Sequence, residues 1–281
     1  MSLKTNPIGI YEKALPDAFT WETKLKVAKA AGFNYLEISI DESDERLARL
    51  DWDDSEIKLI NALVDKHDLP IVSMCLSGHR RFPFGSHDEE VRNKAHSIMK
   101  KALELAEKLH IRNIQLAGYD VYYEKSDEST IHRFREGLKA SASMAEAKNI
   151  MLSIEIMDTK LIGTITRGLA FIDPISSPYL KLYPDLGNLS RWAKVPAQEL
   201  FIGRKAMVAI HLKDTRPGEF KRVPFGEGTV DFPTLFKKLD TLEYNGPFVI
   251  EMWADNTQEE TENACIKRLI KTRSWLKERM S

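Results

Sequence analysis

Short apolar runs rich in branched and aromatic side chains alternate along the chain with longer stretches whose apolar positions recur every three to four residues. The first pattern suits a buried strand and the second an amphipathic helix, so the alternation predicts repeated strand and helix units. Eight strands are expected, at Ile8–Ile10, Tyr35–Ile40, Ile71–Leu76, Asn113–Ala117, Met151–Met157, Leu180–Tyr183, Val208–Leu212 and Phe248–Met252. Helical faces fill the gaps, among them Ile57, Ile60, Leu63 and Val64, then Phe134, Leu138, Ala142 and Ala145, then Leu235, Leu239 and Leu242. Ser86-x-x-Glu89 reads as a capping box opening a helix that carries Val91, Ile98, Ala102, Leu105 and Leu109. The sixth gap has room only for a short helix, at Ala197–Ile202. Eight such units can close a parallel sheet on itself, and no Gly-rich phosphate turn follows Ile10 to favour an open doubly wound sheet. With no linker or low-complexity tract, the expectation is an α/β chain forming one (β/α)8 TIM-barrel domain over residues 1–281.

Composition narrows the class. The 281 residues carry 41 Lys plus Arg against 42 Asp plus Glu, a net charge of -1, which argues against nucleic acid as a partner. No apolar run approaches the roughly 18 residues that cross a bilayer, and the start shows no signal-peptide core, so a cytoplasmic enzyme without a membrane partner is expected. Cys75 and Cys265 lack any metal-binding spacing and are expected to be buried and reduced.

Parallel strands covered on both faces should read as continuous apolar runs. Three do not: Glu155 interrupts MLSIEIMD, His211 interrupts VAIHLKD and Glu251 interrupts FVIEMW. A charge in such a strand costs several kcal/mol unless it is paired or bound to a metal. Alternation puts Ser153 with Glu155, Ala209 with His211 and Lys213, and Val249 with Glu251 and Trp253, on the side opposite the apolar residues and so facing into the barrel. All lie near the C-terminal strand ends, where this fold builds its sites. Asp185, just past the sixth strand, joins them: Glu155, Asp185, His211 and Glu251 follow at intervals of 30, 26 and 40 residues, close to one unit each. Three carboxylates and an imidazole at one mouth suit one divalent metal ion. Manganese, cobalt, magnesium and zinc all fit that donor set, and zinc or manganese is the expectation carried forward.

Glu37 and Gln115 also face inward, to touch substrate, orient a ligand or sit satisfied in the barrel interior. His67, His96, His110 and His132 fall on helices as surface or packing residues; His79 and His87 flank the third loop. A phosphorylated substrate would need cations at the mouth. Lys213 and Arg216, with Lys221, Arg222 and the Gly226-Glu227-Gly228 turn, make the seventh loop the first choice, and Arg80 and Arg81 of the third loop its rival.

EIMD at Glu155, YPDLGN at Asp185, HLKDT at His211, VPFGEG at Gly226 and IEMW at Glu251 resemble the xylose-isomerase-like barrels. With GIYEKALP, DERLARLDW, SMCLSGHRRFPFGS and IQLAGYDVYY they resemble, across essentially the whole chain, the L-ribulose-5-phosphate (L-xylulose-5-phosphate) 3-epimerases of bacterial L-ascorbate degradation. The resemblance implies an isomerase acting on a phosphorylated ketopentose, a metal held by Glu155, Asp185, His211 and Glu251, the two glutamates as acid-base pair, and a homodimer. Where the broader ketose 3-epimerases place a substrate-contacting histidine three residues after the aspartate, this chain has Asn188. Another sugar isomerase on the same site is the alternative. An endonuclease-like phosphoesterase or a sugar-binding protein is weaker, since only His211 among the histidines lies inside a strand.

Overall fold

A computed structural model describes residues 2–280. Eight parallel strands form one sheet: β1 (Ile8–Tyr11), β2 (Tyr35–Ile40), β3 (Ile71–Leu76), β4 (Asn113–Ala117), β5 (Met151–Glu155), β6 (Leu180–Tyr183), β7 (Ile210–Leu212) and, after a hairpin of β8 (Asp214–Arg216) and β9 (Glu219–Val223), β10 (Phe248–Ile250). The order is β6-β5-β4-β3-β2-β1-β10-β7. The two ends of that order meet through bridges Leu182 to Met207 and Asp185 to His211, and the His211 N–H donates to Pro184 O at 2.9 Å. The sheet is thereby closed into a barrel, which leaves no exposed edge. A helix follows each barrel strand: Trp21–Ala30, Asp54–His67, Glu89–Lys108, Glu128–Ala147, Ile165–Ile172, Pro196–Gly203, Phe232–Thr241 and Glu262–Lys277.

Strand alternation splits the interior in two. Ile8, Ile10, Leu36, Ile38, Ile114, Leu152, Ile154, Ile210, Leu212 and Ile250 face the helices in the main core, while Tyr11, Tyr35, Cys75, Tyr183, Ala209 and Val249 pack inside the barrel. Gly9 is needed there because a Cβ would stand 2.4 Å from the Tyr35 ring, which passes over β1 to donate from its hydroxyl to Phe248 O of β10. Cys75 and Cys265 are free and buried, as expected. Among the described residues, no helix is long and apolar enough to cross a membrane.

Several local expectations are corrected. Asp88, not Ser86, caps the helix at Glu89 by accepting from the Glu90 N–H, while the Ser86 hydroxyl is spent on the Asp88 N–H in the preceding turn. β5 and β10 end two residues before the apolar runs do, and β7 begins two residues later than its run. The seventh loop folds back as the β8–β9 hairpin, whose polar sequence carries no strand signal. Asp185 also caps a short helix, Leu186–Trp192, that apolar spacing did not reveal.

Candidate active site

Glu155 is the last residue of β5, Asp185 follows β6, His211 is central in β7 and Glu251 follows β10, so all four reach one mouth. One ligand atom from each lies within 4.8 Å of all the others, and all four side chains are buried. His211 Nδ1 stands 3.3 Å from Glu155 Oε1 and 3.9 Å from Glu251 Oε2. Lys213 reaches in from beyond β7, its ammonium 2.9 Å from Glu251 Oε2 and 3.4 Å from Asp185 Oδ2. Asp185 spends Oδ1 on the Asn188 N–H, at 2.6 Å, which leaves Oδ2 to face the cluster. Gln115 of β4 donates to Glu155 Oε2 and holds that carboxylate from behind.

Three acids crowd this space against one ammonium. Burial, reinforced by Glu251 and Glu155, pushes Asp185 up to about 8 even beside Lys213. Burial and Glu251 raise Glu155 as well, while Lys213 and His211 hold Glu251 low against its own burial. Apart from the Lys213 ammonium, Asp185 Oδ2 and Glu251 Oε2 meet no hydrogen-bond donor. Three buried carboxylates that share one ammonium, beside an imidazole nitrogen, form a mixed oxygen and nitrogen donor set, and a divalent cation would neutralise the repulsion that remains among them. The donors present therefore fit such an ion.

The pocket above the cluster is lined by Tyr11, Lys13, Arg80, Asn188, Lys221 and Trp253, among others. Its sequence-expected members fare unevenly. Asn188 is at the wall, donating to Ile156 O at 3.0 Å with its Oδ1 unpaired. Arg80 is there too, its guanidinium 4.7 Å over the Tyr122 ring. Lys213 sits among the carboxylates rather than at the rim, so it is not a free phosphate ligand. Arg216 lies elsewhere: it bonds Glu227 O at 2.8 Å and pairs with Glu227 and Glu219 on the hairpin, and it is not part of the pocket lining. The Gly226 and Gly228 amides are no anion cradle either, for both donate to Asp214 Oδ2, at 2.9 and 3.0 Å. Glu37 does not reach substrate space; it is buried beneath His211, its Oε1 2.7 Å from Nε2. His79 is a core histidine stacked on Phe84, and His87 lies on the surface. Lys13 escaped the sequence reading, because it follows β1 on a tight turn rather than inside a strand.

A more apolar cavity of about 610 Å³, lined by Phe225, Trp253 and Trp275, contains none of the four clustered residues. Chemistry needs converging polar groups, so the smaller pocket is the candidate.

Residues 25–278 match the xylose isomerase-like TIM barrel family. The chain belongs to that family. An L-ribulose-5-phosphate 3-epimerase, UlaE, of Shigella sonnei (strain Ss046) is 46% identical over 282 residues, covering 100% of this chain and 97% of that protein. A putative L-ribulose-5-phosphate 3-epimerase, SgbU, of Haemophilus influenzae is 46% identical over 284 residues, covering 99% and 98%. Among solved structures, a D-allulose 3-epimerase from Methylomonas sp. superposes with a TM-score of 0.80 at 18% identity, covering 99% of this chain and 98% of that one. An L-ribulose 3-epimerase superposes at 0.76 with 20% identity, covering 97% and 94%. At such identities these two structures speak for the fold alone.

Proposed function

We propose that this chain is a metal-dependent 3-epimerase interconverting L-ribulose 5-phosphate and L-xylulose 5-phosphate. The observation that carries the proposal is the buried pair Glu155 and Glu251 sharing one mouth with Asp185 and His211, in a chain 46% identical from end to end to an L-ribulose-5-phosphate 3-epimerase. Inverting carbon 3 of a ketose removes the proton next to the carbon 2 carbonyl and returns one to the opposite face of the resulting enediolate. Two groups on opposite sides are needed, one ionised and one protonated, and they exchange roles for the reverse reaction. Glu155 arrives from β5 and Glu251 from β10, strands that the closed barrel separates by β6 and β7 on one side and by β4, β3, β2 and β1 on the other. In this proposal Glu155, Asp185, His211 and Glu251 hold one divalent ion, zinc or manganese ahead of cobalt or magnesium. Such an ion would supply Lewis acidity to the bound ketose. Gln115 keeps Glu155 turned toward substrate, and the Lys213 ammonium offsets negative charge at the pocket floor.

The phosphate belongs at the rim, several ångströms from the reacting carbons. Arg80 and Lys221 both line the pocket, Arg80 with an unpaired buried Nε. Burial and the Arg80 charge pull Lys221 below its ordinary value, so an anion between the two would relieve their repulsion. Lys13, paired with Asp41, stands on the same wall. A cytoplasmic location and a homodimer accompany this reading and are checked by fractionation and light scattering.

Proton NMR of L-ribulose 5-phosphate with the enzyme in heavy water tests the proposal. Deuterium at carbon 3 with appearance of the epimer supports it. Exchange at carbon 1 instead points to an aldose-ketose isomerase and overturns it.

A further inference from the structure

Glu37 lies one layer deeper in the barrel than the four clustered residues, and no solvent reaches it. A carboxylate so placed persists only where its neighbours donate to it. Three groups face it. The Ser73 hydroxyl donates to Oε2 at 2.7 Å, the Tyr183 hydroxyl donates to the same atom at 3.0 Å, and His211 Nε2 stands 2.7 Å from Oε1. They come from β3, β6 and β7, while Glu37 comes from β2, so four strands of the barrel hold its position.

The consequence falls on His211, whose two ring nitrogens are chemically distinct. Nε2 is taken by Glu37. Nδ1 is the nitrogen turned to Glu155 and Glu251, at 3.3 and 3.9 Å. The Tyr183 ring packs steeply against the imidazole, with centroids 4.6 Å apart, so the residue that donates to Glu37 also braces His211. Rotating the ring by half a turn would set carbon atoms against both sets of carboxylates.

We infer that Glu37 is a positioning residue which assigns Nδ1 of His211 to the metal and retains Nε2–H for itself, with Ser73 and Tyr183 fixing Glu37 in turn. The inference rests on the cluster being a metal site, as proposed above, and not on which sugar is turned over. Groups that orient a ligating histidine typically contribute about 10- to 100-fold to metal affinity. A merely structural Glu37 would instead alter stability and leave affinity alone.

The test is a titration of metal-stripped protein with zinc in competition with a chromophoric chelator, using the parent, Glu37→Gln, Glu37→Leu and His211→Ala, with circular dichroism to confirm folding. Glu37→Gln keeps the shape and one acceptor, so it should weaken zinc binding about tenfold; Glu37→Leu should approach 100-fold. Nitrogen-15 shifts of the zinc-loaded parent should show Nε2 carrying the proton and Nδ1 without one. Folded Glu37→Gln with parental zinc affinity, while His211→Ala loses the metal, overturns the inference and spares the site. If Glu37→Leu does not fold, Glu37→Gln and the nitrogen-15 spectrum still decide it. Zinc on Nε2 overturns it as well, and His211→Ala with parental affinity removes the metal site and this inference together.

Discussion

Replacing Glu155 or Glu251 by glutamine keeps each side chain's size but removes its capacity to take or give a proton and weakens it as a metal ligand. Each variant should fold and lose about 100- to 10,000-fold in epimerisation rate. Deuterium wash-in separates the two faces of the reaction, since a one-sided variant labels one epimer without forming the other. Full turnover by either variant would defeat the two-base scheme. At the rim, Arg80→Met and Lys221→Met should raise the KM for the phosphorylated ketose while sparing the unphosphorylated sugar, because those contacts do not involve the reacting carbons. Arg216→Met, with its guanidinium committed to Glu227 and Glu219, should change neither. Strand alternation exposed Glu155, His211 and Glu251 in the sequence, since each breaks an apolar run. It could not separate Glu37 from them, because alternation gives the face of a strand and not the depth within the barrel.

Loops acquire their shape from buried ions here, and each such ion has a measurable effect. Asp214 gathers the amides of Gly226, Gly228, Val230 and Thr215, tying the β8–β9 hairpin, and with it Lys221, over the pocket. A Cβ on Gly228 would come within 1.9 Å of Asp214 Oδ1, so Gly228→Ala must displace that carboxylate. The expected result is faster proteolytic nicking between residues 214 and 230 and a raised KM for the phosphorylated ketose, with metal content unchanged. Parental nicking and KM would show that Asp214 does not hold the hairpin.

Glu12, fully buried behind the first loop, takes Arg49 at 2.7 Å, Arg46 at 2.9 Å and Lys24 at 3.0 Å. Against its own burial, Arg49, Lys24 and Arg46 hold its carboxyl far below the ordinary range. A depressed folded-state value means stability that is present above the unfolded value of about 4.3 and lost as pH falls toward the folded one. Glu12→Gln strands buried cations and should cost about 3–5 kcal/mol at neutral pH. The Tm gap to the parent should then narrow as pH falls below about 4; a gap independent of pH would mean that packing, not charge, sets the cost. Neither element was legible beforehand. The hairpin's polar residues carry no period, and the partners of Glu12 lie 12 to 37 residues away on elements that only the fold brings together.

For the whole molecule, the metal is expected to act as a staple across the barrel, because its proposed ligands come from four separate strand ends. Metal present at a hundredfold excess over its Kd would stabilise the folded state by about 2.7 kcal/mol. Chelation should lower the Tm by several degrees, and zinc or manganese should restore it; a chelated protein with an unchanged Tm would contradict a tightly held ion. Eight apolar runs at regular spacing, separated by helical periods, made the barrel legible in the sequence, because the code for being buried on two sides is local. The interruptions of those runs marked the mouth for the same reason. What the sequence could not determine was partnership: that Lys213 sits among carboxylates while Arg216 turns away, that the Gly226 and Gly228 amides serve Asp214, and that Glu37 supports His211 from beneath. The Lys213 and Glu37 contacts join strands far apart in the chain, where alternation gives each side chain a direction and only barrel closure decides what it meets, while the Arg216 and Asp214 contacts depend on the hairpin whose polar residues carry no period.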